Sequence, residues 1–223
     1  MEKYCQFCPV AKAAEILCEK WVILVLRELM MGSTRFGQLR RGLPKISPSI
    51  LSRRLKTLED QGILERTKKP RGNSYEYNLT ESGEQLRPIV LGFGSWGYKW
   101  AKNKITKEDL DAGFLLWDMR RRLNVEYFNK QRVVIHIEFN DQQSRDRYWW
   151  MVIDNNQIDL CFEDMGHEPD IVIITTLPVM TNVWMGYKKL ASAIREGKMK
   201  ILGSKIHVKN ISEWIGRSSF AES

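Results

Sequence analysis

The sequence predicts an α+β chain in two parts. A mostly helical domain with one basic hairpin spans residues 1–106, and an α+β domain whose five-stranded, mainly antiparallel sheet is covered by helices spans 107–223. Three observations lead there. Beyond a charged connector at 102–111, the hydrophobic pattern changes from helical to alternating. The positive charge is confined to the first part: residues 1–106 hold 19 Lys+Arg against 10 Asp+Glu, a net of +9, whereas 107–223 hold 16 against 17. With 43% hydrophobic residues, 8 Trp and 8 Phe in 223 residues, there is ample core material, which excludes a disordered or low-complexity protein.

Pro9 suits a first helical position, and residues 10–31 read as one helix stopped by Gly32. A short helix over 35–41 closes at Gly42-Leu43-Pro44. A third opens at Ser47-Pro48, where the serine can cap free backbone N–H groups and the proline loses no needed donor. Along it Leu51, Leu55 and Leu58 form one buried stripe, with Ser49, Ser52, Arg53 and Lys56 opposite and Gly62 as the stop. Strands at 63–67 and 75–79 flank a turn holding Lys68, Lys69, Arg71 and Asn73. Thr80 then caps a helix running towards Trp100. Helix, helix, helix, basic hairpin, helix is the order of a winged helix-turn-helix.

That order predicts a partner. The third helix can present Ser49, Ser52, Arg53, Arg54 and Lys56 to base edges in the major groove, and Ser47 opens it at a helix start that suits a phosphate. The hairpin residues Lys68, Lys69, Arg71 and Asn73 can reach phosphates or the neighbouring minor groove. Double-stranded DNA is the expected partner.

The same segment resembles the HxlR-type winged-helix regulators. The matching stretches include Cys8-Pro9-Val10, Lys20-Trp21, Leu26-Arg27-Glu28-Leu29, Leu51-Ser52-Arg53-Arg54-Leu55-Lys56, Tyr75-Glu76-Tyr77 and Leu79-Thr80, and Gly83, Leu86, Pro88, Trp96 and Trp100 extend them across about residues 5–102. The resemblance implies a homodimeric transcription factor that pairs through its first and last helices. A dimer of this kind reads a palindromic operator with half-sites about one helical turn, near 34 Å, apart. Where the family carries a glycine before Lys20-Trp21, this chain has Cys18-Glu19. The resemblance implies that in some relatives the cysteine ahead of Pro-Val is a redox or electrophile sensor. Cys8 holds that place, with Cys5 as a candidate resolving partner, and a thiolate near a helix start is stabilised by the helix dipole.

Other chemistries find little support. Cys5 and Cys8 form a single C-x-x-C with no histidine within a hundred residues, so no metal is expected. Gly92-Phe93-Gly94-Ser95-Trp96-Gly97 fits the letters of a dinucleotide loop but lacks a surrounding β-α-β unit, and no cofactor is expected. No nucleophile–base set suggests an enzyme. The longest aliphatic run, residues 21–26, is far short of the roughly 20 residues of a membrane span, and no secretory signal is seen. A cytoplasmic location without membrane contact is the expectation.

In the second part, a helix over 114–123 precedes strands at 132–139, 148–153, 157–162 and 170–175, a helix over 178–196, a strand at 198–202 and a last helix around 211–215. Pro169-Asp170-Ile171-Val172-Ile173, the helix ending at Glu196-Gly197, and Lys198-Met199-Lys200-Ile201-Leu202-Gly203 resemble the sterol carrier protein type 2 fold. That resemblance implies a tunnel for lipid-like or other apolar ligands. Trp117, Trp150, Met180 and Trp184 are the candidate pocket residues, since aromatic and Met-rich interiors suit adaptable apolar sites. The sequence thus predicts a DNA-binding regulator modulated by an apolar effector. The alternative is control through Cys8, with the second domain as a dimerisation or lipid-carrier module.

Overall fold

The computed structural model describes residues 3–69, 74–101, 105–128, 132–143, 146–163, 166 and 168–222. The chain divides into two compact units, Met1–Trp100 and Ala101–Ser223, six residues ahead of the boundary expected from composition.

In the first unit α1 (Pro9–Leu17) and α2 (Val22–Met30) replace the single helix expected over 10–31. The break falls at Trp21, whose backbone is left-handed (φ 82°). This conformation costs a non-glycine residue about 1–2 kcal/mol. It persists because the Trp21 side chain packs against the unit's core while its carbonyl accepts from Val25 N at 2.8 Å. Next come α3 (Phe36–Gly42) and α4 (Pro48–Asp60), the latter capped by Ser47 Oγ accepting from Ile50 N at 3.2 Å. Leu51, Leu55 and Leu58 meet Val22, Leu26 and Leu39 in the core. Strands β1 (Leu64–Lys68) and β2 (Tyr75–Leu79) pair antiparallel, with Leu64 opposite Leu79 and Lys68 opposite Tyr75.

Thr80 caps α5 (Glu81–Glu84), and a separate helix, α6 (Arg87–Trp100), follows after Gln85-Leu86. The single helix expected from Thr80 to Trp100 is therefore two. Leu86 packs onto the core, and the Arg87 guanidinium donates to the Met30 carbonyl at 3.1 Å, fixing where α6 begins. The glycine-rich look-alike lies inside α6. Val90 is the buried residue of this helix. Ile89, Phe93, Trp96 and Trp100, spaced at four, three and four, line one face and are 45%, 58%, 64% and 63% exposed.

The second unit begins with α7 (Ala112–Met119), capped by Asp111 accepting from Phe114 N at 2.7 Å. Its sheet comprises β3 (Arg132–Phe139), β4 (Tyr148–Asp154), β5 (Gln157–Cys161), β6 (Ile171–Thr175) and β7 (Met199–Gly203), in the order β5-β4-β3-β6-β7. The Asn155-Asn156 turn between β4 and β5 uses two left-handed residues (φ 47° and 61°), as a tight hairpin requires. The sheet is mixed, which corrects the expectation of a mainly antiparallel one: β3 and β6 pair parallel at its centre, Ile135 opposite Ile171. After β5 the chain returns to the end of the sheet where β3 begins, and Asp170 locks that return, its carboxylate accepting from Val134 N at 3.0 Å. Strand alternation shows which faces are buried but not strand direction.

Val133, Ile135, Ile137 and Phe139 face a core shared with α7 and with α8 (Leu177–Trp184) and α9 (Leu190–Arg195). The helix expected over 178–196 is interrupted between these two at Gly186 (φ 72°). Two further short helices, α10 (Lys205–Lys209) and α11 (Ile211–Trp214), follow β7, and the first was not foreseen. The opposite face of the sheet carries His136, stacked on Trp150 with ring centroids 4.8 Å apart and on Tyr148 at 5.9 Å.

Candidate nucleic-acid interface and the cleft of the second unit

The helix-turn-helix is held by a buried carboxylate that sequence reasoning missed. Glu28 of α2 is fully buried, accepts from Ser33 Oγ at 3.2 Å and pairs with Arg27 at 2.9 Å. Arg27 also donates to the Gly42 carbonyl at 3.0 Å. A Cβ at Gly42 would lie 1.9 Å from a Glu28 oxygen, so any larger residue there displaces the buried carboxylate. This lock ties the end of α3 to α2.

On α4 the exposed face holds Ser49, Ser52, Arg53 and Lys56. Arg53 makes no ion pair among the described residues. Lys56 is held by its own helix, at 2.7 Å from Asp60 and 3.7 Å from Glu59, and the Asp60 hydrogen bond raises its pKa. Arg54 is a correction: it is 9% exposed, its Nε donates to the Lys20 carbonyl at 2.8 Å, and its guanidinium pairs with Glu19. It sits one position after Arg53, beside the leucine stripe, and so turns inward to tie α4 to the α1–α2 junction.

At the hairpin, Lys68 is exposed, whereas Lys69 pairs with Glu76 at 2.7 Å. Arg35 approaches the same carboxylate at 3.6 Å, and the Lys69 hydrogen bond holds the Glu76 carboxyl below the usual carboxylate range. This pair of cations on one carboxylate fastens the hairpin to the start of α3. Arg66 lies over the Tyr75 ring at 4.2 Å, a contact that sequence reasoning also missed. Arg71 and Asn73 lie outside the described residues. Cys8 is half-buried at the N-cap of α1, and Cys5 is exposed.

In the second unit the four candidate pocket residues do not converge. Met180 and Trp184 are packed in the core, where Trp184 Nε1 donates to Asp118 at 3.1 Å. Trp117 is buried beneath the Arg120 guanidinium, 3.5 Å from the ring centroid, and Trp150 stacks on His136 on the other face of the sheet. A cleft of about 440 Å³ lies elsewhere, with Val183, Leu190, Ile194, Val208, Ile211 and Ile215 among its walls. Lys188, Lys189, Lys209 and Arg217 also line it. These cations are spread over thirty positions of sequence, and a reading along the chain does not gather them. Among the described residues no cluster of His, Cys, Asp or Glu is arranged to hold a metal ion, and no helix is long and apolar enough to cross a membrane.

A three-helix core, an exposed helix carrying an uncommitted arginine and a basic two-stranded wing define a winged helix-turn-helix of the DNA-binding class. Residues 16–105 match the family described as HxlR-like helix-turn-helix. The HTH-type transcriptional regulator YvaP of Bacillus subtilis is 38% identical over 97 residues, which cover 43% of this chain and 90% of YvaP. YdeP of the same organism is 37% identical over 101 residues, 45% of this chain and 78% of YdeP. The redox regulator HypR in its reduced form is similar at 32% identity over 44% of this chain and 97% of HypR, with a TM-score of 0.41. The chain belongs to the HxlR-like family of helix-turn-helix transcriptional regulators.

Proposed function

We infer that the protein is a homodimeric, sequence-specific regulator of transcription that works on DNA in the cytoplasm and whose second unit senses an apolar small molecule. The observation that carries the DNA-reading part is the exposed face of α4, where Ser52 and Arg53 are open to meet base edges and Ser49 shares a 3.1 Å hydrogen bond with Ser47, while Arg54 and the leucine stripe anchor the helix. Lys68 on the wing supplies a phosphate contact. Dimerisation rests on α6, whose exposed apolar stripe of Ile89, Phe93, Trp96 and Trp100 is far more than a lone helix leaves in water. The effector role rests on the cleft of the second unit.

Selection of bound sites from a random double-stranded DNA library tests the reading. Enrichment of a two-fold symmetric site with half-sites about one turn, near 34 Å, apart is expected. Recovery of unrelated sequences, with affinity set by salt alone, would reduce the protein to a non-specific DNA binder.

A second reading is favoured by Cys8, which stands at the N-cap of α1 next to the exposed Phe7 and Val10. Oxidation there would alter the surface beside the first helix, with Cys5 as a resolving thiol. Mild diamide should then abolish DNA binding in the wild type and spare Cys8→Ser. Equal behaviour of the two proteins excludes it.

A further inference from the structure

We propose that the cleft among α8–α11 is a binding site for an amphipathic anion, a small molecule with an apolar body and a carboxylate-like head. The proposal rests on the effector reading above and specifies its ligand. The walls supply the apolar half. Ile194 is 38% exposed, Leu190 and Val208 are partly exposed, and all three line the cleft. A volume of about 440 Å³ suits a small molecule, since such sites run from about 300 to 1,000 Å³.

The cations supply the other half. Among the described residues no Asp or Glu lines the cleft, and four cations do. Lys188 is committed, its Nζ 3.0 and 2.8 Å from the two Glu196 oxygens. Lys189, Lys209 and Arg217 are exposed and make no ion pair among the described residues. They come from the start of α9, the end of α10 and the segment after α11, so they reach one cleft from three separate places in the chain. A neutral apolar ligand would gain nothing from these three cations. An anionic head neutralises them while the chain or ring covers Ile194 and Leu190.

Isothermal titration calorimetry of the full chain with decanoate, decanol and decyltrimethylammonium tests this. One decanoate per chain is expected, bound at least tenfold more tightly than either of the other two. Lys209→Glu combined with Arg217→Glu should bring decanoate down to the decanol level, and Ala191→Trp, which fills the cleft, should abolish binding of both. Near-UV circular dichroism checks that these variants are folded. Equal affinity for decanol, undiminished binding by the charge-reversed variant, or no heat with decanoate at millimolar concentration would each overturn the proposal. A parallel DNA-binding assay separates the two readings. Decanoate that binds the cleft without changing DNA affinity defeats the effector role and leaves the site standing. A DNA response that persists in Ala191→Trp overturns the site and leaves sensing intact.

Discussion

Replacing Trp96 by alanine should dissociate the proposed dimer. The side chain is 64% exposed in the single chain, and tryptophan brings on the order of 200 Å² of surface, so roughly 130 Å² per chain is left for a partner to cover. At about 25 cal/mol per Å² this is about 3 kcal/mol for each chain, and two-fold pairing counts the residue twice. The dimer dissociation constant should therefore rise by roughly 10²- to 10⁴-fold. The lower figure is the firmer, because ordering of side chains at the interface takes back part of the gain. Sedimentation velocity over a dilution series reads the constant directly, and the melting temperature of the dilute monomer should hardly move, since the residue is mostly exposed. A change of less than threefold would show that α6 is not the dimer seam.

Other substitutions separate reading from holding. Arg53→Ala should cost roughly 1–3 kcal/mol of affinity for a selected site and relax base preference at one position, measured by fluorescence anisotropy on a panel of single-base variants. Arg54→Ala should instead lower stability by about 1–3 kcal/mol in urea, with the DNA affinity of the folded protein unchanged, because it removes an inward-facing partner of Glu19 and the Lys20 carbonyl. Gly42→Ala should cost about 3 kcal/mol in the same assay by displacing the buried Glu28 carboxylate; a loss under about 0.5 kcal/mol would mean the carboxylate moves aside freely. Lys188 and Lys198 hold the Glu196 carboxyl down to about 2. A depressed carboxylate stabilises the fold above its ordinary value of 4.5, and that contribution drains away as pH falls from there towards 2. The melting temperature should consequently fall less steeply over this range in Glu196→Gln than in the wild type. Matching slopes would show that the two lysines do not stabilise the fold through Glu196.

Much of the first unit was legible because its signals are local. Ser47-Pro48 marks a helix start by cap chemistry, the leucines at 51, 55 and 58 mark its inner face, and the wing is bracketed by turn residues. What escaped depends on contacts distant in sequence. The break at Trp21 relies on a ring docking into the core, so a helical composition continues through a point where the backbone is left-handed. Arg53 and Arg54 are neighbours, but Arg54 falls three positions after Leu51 and four before Leu58 on the inner face; what the sequence does not show is the Lys20 carbonyl, 34 positions earlier, that receives it. In the second unit, large apolar residues were a poor guide to a cavity. Met180 and Trp184 serve as core because they fill space well, and the open volume lies among the short helices α8–α11.

The parallel pairing at the centre of the second sheet has a consequence for biogenesis. The β3–β4–β5 meander can form from neighbouring segments, but its inner strand stays without one neighbour until β6 has been made, and the sheet ends only with β7. Nothing in the first unit waits for this. With synthesis at about 5–20 residues per second, the DNA-reading unit is complete on the order of ten seconds before the second core can close. During that interval the half-built sheet offers an open edge on β3. The emerging chain therefore has its greatest need of chaperone cover between the synthesis of β3 and that of β6.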